Sequence, residues 1–165
     1  MIEDPSAPDT PPARAASQRA ARAPGGLDWP ALKVLVTGGR GFLGRAVCAR
    51  LRERGVARPE TPTSADYDLR RLDDVARLFD EVRPDLVIHL AARVGGIGAN
   101  MARPADLYLD NLLMGTYVIE QARLAATAKT VVAGTICSYP KHTPVPFSED
   151  SLWQGSHHAV AMEVA

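Results

Sequence analysis

From residue 32 onward, short apolar runs alternate with longer stretches in which apolar residues recur every three or four positions. Residues 33–37 read as a short buried strand. Residues 41–54 read as a helix, because Leu43, Val47 and Leu51 recur at i, i+4 and i+8 on one face, and Gly55 closes it. Residues 57–63 carry a weak strand signal, blurred by Pro59 and Pro62 into an edge or irregular stretch. Residues 72–82 read as a second helix with Val75, Leu78 and Phe79 on one face. Pro84 separates it from residues 85–90, whose continuous apolar run predicts a buried parallel strand. A long helix over 106–126 and a strand over 129–135 complete the alternation. Strand and helix in turn predict an α/β fold with a doubly wound parallel sheet. In the long helix, Leu107, Leu109, Leu112, Leu113, Val118 and Ile119 leave little polar face, so burial on more than one side is expected.

Residues 1–30 lack this pattern. Pro, Ala and Arg dominate there, and too little apolar surface is present to offset the entropy of ordering, so a disordered arm is expected. Arg14, Arg19 and Arg22 stand among small residues with no apolar core, so no secretory signal is expected here; Glu3, Asp4 and Asp9 weaken a mitochondrial-type presequence. The formal net charge of the 165 residues is zero, which gives no push toward nucleic acid or an anionic membrane. No apolar run approaches the ~18 residues of a membrane helix. The two cysteines, Cys48 and Cys137, make no disulfide framework, and no metal-ligand spacing occurs, so a cytoplasmic setting is expected. Cys48 reads as core, His89 as a satisfied strand histidine and His142 as a loop residue. The adjacent His157 and His158 are poorly placed to converge on one ion.

The first strand runs into Gly38, Gly39, Arg40, Gly41, Phe42, Leu43 and Gly44, a G-x-x-G-x-x-G spacing that opens the first helix. Free N–H groups and the dipole at such a turn favour a bound anion. In a strand–turn–helix context the glycines allow a tight turn, approach of a pyrophosphate to the backbone, and close helix packing, so a dinucleotide is the expected ligand. NAD sites place an acid ~20 residues on, for the ribose hydroxyls, and Glu60 is the only candidate near the second strand. Arg40 points instead to the 2′-phosphate of NADP. NADP is therefore favoured, with NAD open.

These residues, with Asp68-Leu69 and His89-Leu90-Ala91-Ala92, resemble the extended short-chain dehydrogenase/reductase (NAD-dependent epimerase/dehydratase) family. More narrowly, residues 92–100 (A-R-V-G-G-I-G-A-N) and 134–141 (G-T-I-C-S-Y-P-K) resemble its GDP-L-fucose synthase group, over about residues 32–155. The resemblance implies a Rossmann-type sheet, NADPH, a GDP-4-keto-6-deoxymannose substrate undergoing 3,5-epimerisation and 4-reduction, and a homodimer. It places Arg40 near the 2′-phosphate, Asp68 and Leu69 beside the adenine, Ala91 and Ala92 where the cofactor passes close, Val94 in a loop near it, and Gly134 among the cofactor-binding residues. A second basic residue found in some members falls at Ser64 here, and Asn111 occupies a position where the family often has asparagine. Thr135 matches the hydroxyl that bonds the 4-keto oxygen, and Cys137 the thiol that exchanges protons at the flanking carbons.

One departure stands against these matches. The family's reductases use a Tyr-x-x-x-Lys pair, and none of Tyr67, Tyr108, Tyr117 or Tyr139 has lysine four residues later. Residues 156–165 diverge from the family pattern. The expected organisation is an arm over 1–30, a partial NAD(P)-binding domain over 31–155 and a divergent tail over 156–165. The domain would stop before the catalytic helix and substrate domain, and the chain would be an incomplete, inactive form. A different NAD-dependent nucleotide-sugar epimerase or dehydratase, or a non-catalytic dinucleotide-binding remnant, are the alternatives. Part of the long helix's apolar surface would then be left exposed.

Overall fold

The computed structural model describes residues 28–135, 138–140 and 142–154. Most of the arm, Cys137, Lys141 and the tail from residue 155 lie outside the described residues. A 3-10 turn at Trp29–Ala31 leads into strand β1 (Val34–Thr37), whose four residues are all buried. Helix α1 (Phe42–Glu53) follows. Helix α2 (Leu72–Val82) and strand β2 (Leu86–His89) come next. A short helix α3 (Ile97–Ala102), the long α4 (Pro104–Leu124) and strand β3 (Lys129–Val132) complete the order, before a 3-10 turn at Glu149–Trp153.

Among the described residues the sheet runs β1-β2-β3, all parallel, with Val34 opposite Leu86 and Leu86 opposite Lys129. Parallel neighbours need long crossovers, and the helices supply them. On the far side of β1 the expected second strand is reduced to one bridge, Leu35 to Glu60. Glu60 N–H donates to the Val34 carbonyl and Val36 N–H to the Glu60 carbonyl, both at 2.8 Å. Pro59 and Pro62 have no N–H to extend that ladder.

Alternate strand residues face opposite ways, and the two faces carry separate cores. Val34, Val36 and Leu86 pack with Cys48, Leu51 and Val56 on the α1 side. Leu35 and Val87 pack with Val75, Leu78 and Phe79 of α2 and Val118 and Ala122 of α4 on the other. Helices therefore cover both faces, the doubly wound arrangement expected from the sequence. Helix α2 ends at Arg83 in a left-handed conformation (φ +47°), with Pro84 next. The Asp85 carboxylate then accepts from Lys33 N–H at 2.9 Å, which fixes the start of β2 beside that of β1.

β3 ends three residues earlier than expected, so 133–135 are loop. Its strand residues are exposed or half-buried. α3 was not expected, since its segment is glycine-rich and has no apolar period. Leu109, Leu112 and Ile119 of α4 are about half exposed (52, 49 and 51 %), against the expected burial on more than one side. The helix buries only the stripe through Leu107, Met114, Val118 and Ala122.

Candidate functional site

The glycine turn sits where β1 stops at the carboxyl edge of the sheet, the place where open α/β sheets hold ligands. Gly38 has φ +69°, and a Cβ there would lie 2.7 Å from the Ala91 backbone nitrogen. The turn thus passes directly beside the end of β2. Below that crossing, Thr37 Oγ1 and His89 Nδ1 share a buried hydrogen bond of 2.7 Å, and Ala91 N–H donates to the same hydroxyl at 3.4 Å. His89 is the satisfied strand histidine expected, and burial pushes its pKa down. Gly44 serves helix packing, because a Cβ there would lie 2.1 Å from the Gly38 carbonyl oxygen. Gly41 is different: only that same oxygen, at 3.2 Å, comes near, and the space beyond is open. Gly41 is the α1 N-cap, and no side chain caps the helix. The first-turn N–H groups therefore remain available to an anion. Cys48 lies under the turn with its Sγ 3.9 Å from the Gly39 carbonyl, and burial raises its pKa, as a core thiol should show.

A cleft of about 860 Å³ opens over this turn, within the range of small-molecule sites. Gly38, Arg40 and Gly41 form its floor. Pro62, Thr63, Ser64 and residues 67–70 form one rim, residues 90–94 the other, with Met114 of α4 beneath. It thus gathers Asp68, Leu69, Ala91, Ala92 and Val94 around the glycines. Gly39 packs against Thr61 rather than lining the cleft, as Gly44 packs on the turn. Phe42 (92 % exposed) and Leu43 (53 %) begin α1 outside the cleft lining. Gly134 and Thr135 follow β3 at the same carboxyl edge, exposed and not part of the cleft wall. Cys137 lies outside the described residues, so the two expected catalytic residues are not seen together.

Arg40 also lines a second, smaller cleft shared with Arg58, Glu60, Arg77, Leu78 and Val82. In a parallel ladder, bridged partners share a face. Glu60 therefore follows Leu35 toward α2 and lines this second cleft and not the first, away from the floor where a ribose would lie. Asp68 is held by the Arg70 guanidinium, which donates to both carboxylate oxygens at 2.8 and 2.7 Å. That fork pulls the Asp68 pKa down to about 2.

Two contacts of α4 were not expected from the sequence, although Asn111 itself was noted there. Asn111 clamps the second rim: its Oδ1 accepts from Arg93 N–H and its Nδ2 donates to the Arg93 carbonyl, each at 2.8 Å. The signal available was a pair of polar residues, Asp110 and Asn111, set between Leu107, Leu109, Leu112 and Leu113. Asp110, beside it, pairs with both Arg70 and Arg93.

A parallel α/β sheet with a glycine-floored cleft at its switch edge defines the dinucleotide-binding class. Residues 34–159 match the NAD dependent epimerase/dehydratase family, and the chain belongs to that family. It is 40 % identical over 124 residues to GDP-L-fucose synthase 1 of Arabidopsis thaliana, covering 75 % of this chain and 38 % of that protein. It is 33 % identical to the Escherichia coli (strain K12) GDP-L-fucose synthase, over 75 % of this chain and 39 % of the other. The chain spans about 38 % of the length of the curated relatives it matches. Among solved structures, it resembles a GDP-L-fucose synthetase from Naegleria fowleri bound to NADP (TM-score 0.67, 32 % identity, 78 % of this chain and 39 % of that one). It also resembles a GDP-D-glycero-L-gluco-heptose synthase from Campylobacter jejuni determined with NADPH (TM-score 0.72, 31 % identity, 79 % and 38 %).

Proposed function

We propose that the chain is the dinucleotide-binding part of a GDP-L-fucose synthase-type enzyme, holding NADP in the cleft above residues 38–41. The observation that carries this reading is the open face of Gly41, on an uncapped helix N-terminus, between rims made by residues 67–70 and 90–94. The pyrophosphate would meet the first-turn N–H groups of α1. The adenosine would lie toward Asp68 and Leu69, and the nicotinamide half toward Ala91, Ala92 and Val94. Phe42, Leu43 and Gly134 would border the ligand from outside the cleft wall. Arg40 supports NADP over NAD, because it lines the cleft and its guanidinium suits a 2′-phosphate, while Glu60 lines the second cleft on the α2 side.

The proposed reaction is 3,5-epimerisation and 4-reduction of a GDP-4-keto-6-deoxy-D-mannose. NADPH supplies the hydride when bound. The Thr135 hydroxyl would donate to the 4-keto oxygen as charge develops there, and the Cys137 thiol would exchange protons at the flanking carbons. The 165 residues contain no Tyr-x-x-x-Lys pair to protonate the oxygen, so the chain by itself is proposed to bind cofactor weakly and not to turn over. A homodimer built on α4 and a cytoplasmic setting belong to the same proposal. No described helix is long and apolar enough to cross a membrane.

Calorimetric titration of the full chain with NADPH and NADH tests this reading. Weak but measurable NADPH binding, a poorer response to NADH, and loss of that preference in Arg40→Ala are expected. Equal affinity for both dinucleotides overturns the NADP assignment, no binding of either overturns the site, and reduction of the keto sugar by the chain alone overturns the proposed inactivity.

A further inference from the structure

The two rims of the cleft belong to separate parts of the chain. Residues 67–70 precede α2, and residues 90–94 follow β2. One side chain reaches both. Asp110, on the N-terminal half of α4, lies 3.7 Å from Arg70 Nη1 with one carboxylate oxygen and pairs with Arg93 Nη1 through the other. Its side chain is 15 % exposed, against 41 and 42 % for the two arginines. Arg70 is itself forked onto Asp68, and the Arg93 main chain is held on both sides by Asn111. The result is a continuous chain of charges, Asp68–Arg70–Asp110–Arg93, from one rim to the other. Among the described hydrogen bonds and ion pairs, Asp110 alone joins the two.

Resting on the dinucleotide reading above, we propose that Asp110 is a positioning residue that sets the width of the cleft by tying its two rims together. A ligand that touches the glycine floor and both rims at once needs them at a fixed separation. Without a carboxylate between them, Arg70 and Arg93 are two like charges on facing walls, and they repel. An exposed isolated ion pair contributes little, but a shared and mostly buried carboxylate in a network contributes more. Asp110 touches no part of the floor, so its role is exerted through Arg70 and Arg93.

The test compares the full chain with Asp110→Asn and Asp110→Glu. NADPH affinity is expected to fall about two- to five-fold in Asp110→Asn, on the scale of one ion pair, and to recover in Asp110→Glu. Unchanged or tighter binding in Asp110→Asn overturns the inference while leaving the dinucleotide reading intact, since freed guanidiniums acting merely as phosphate ligands would raise affinity. Amide hydrogen exchange gives a readout that needs no dinucleotide. The Arg70 and Arg93 amides are expected to exchange faster together in Asp110→Asn, with Val75 of α2 unchanged. Acceleration at one rim only overturns the coupling. Should wild type bind no dinucleotide, the dinucleotide reading fails, and the inferred role in the dinucleotide cleft falls with it even if exchange shows the rims to be tied. Should Asp110→Asn fail to fold, Arg70→Gln cuts the same chain at the surface, and faster exchange at Arg93 is the expected result; an unchanged Arg93 amide overturns the inference.

Discussion

Gly41 and Gly44 are three residues apart in one motif, yet their surroundings separate packing from ligand contact. A methyl group at Gly44 would collide with the Gly38 carbonyl at 2.1 Å and with Gly39 atoms at 2.6 Å, all backbone. Gly44→Ala must therefore move α1 off the turn, and a loss of about 1–3 kcal/mol is expected from such overpacking. Gly41→Ala meets only one atom at 3.2 Å, and its φ of −73° suits any residue. It is expected to leave the melting temperature nearly unchanged while weakening NADPH binding by filling the space where the pyrophosphate would lie. Paired thermal melts and titrations of the two variants check this separation; equal destabilisation would refute it. His89 gives a second test at this scale. Burial holds its folded pKa below the ordinary value of 6.5. The unfolded chain therefore takes up its proton first as pH falls. The stability contributed by neutral His89 is complete above about pH 6.5 and is lost as pH falls from there through the lower folded value. Denaturant midpoints between pH 7.5 and 5 should fall more in wild type than in His89→Gln.

Elements were legible where a period and a stop signal coincided. Helix α2 spans the residues expected, because Val75, Leu78 and Phe79 mark one stripe and Pro84 prevents continuation. The long helix begins at Pro104 rather than 106, since proline at the first helical position needs no N–H partner. Three features were not legible, each for a physical reason. The second strand depends on backbone donors that Pro59 and Pro62 lack, so only Glu60 pairs. The short helix α3 buries none of its residues and so leaves no apolar imprint. The Asp110 and Asn111 contacts depend on how α4 approaches the loop after β2, a tertiary relation with no sequence period. The cleft floor was readable because its glycines answer to local geometry, whereas Thr135 and Gly134 were expected in a strand that ends at Val132. Phe79 is 2 % exposed in the α2–α4 core. Phe79→Ala is expected to cost about 3–5 kcal/mol, measured by urea unfolding with an unchanged m value.

Across the whole molecule, burial is lopsided. β1 and most of β2 are covered on both faces, but in β3 Val131 and Val132 remain 41 and 46 % exposed. Helix α4 likewise carries Leu109, Leu112 and Ile119, each about half exposed, and Leu124 at its end (58 %). Half-exposed leucine and isoleucine on one helix, and a strand whose outer edge is unpaired among the described residues, are features that favour association. At micromolar concentrations the 17.7 kDa chain is expected to sediment as a dimer or larger species. Leu112→Lys with Ile119→Lys places charge on the exposed part of α4 without touching the buried stripe of Leu107, Met114, Val118 and Ala122. The double variant should therefore sediment as a monomer with unchanged far-ultraviolet circular dichroism. If wild type is already monomeric, these side chains are individually solvated and have no pull of their own. If the double variant stays associated, the contact runs through β3 instead, and Val132→Lys is the substitution that should release it.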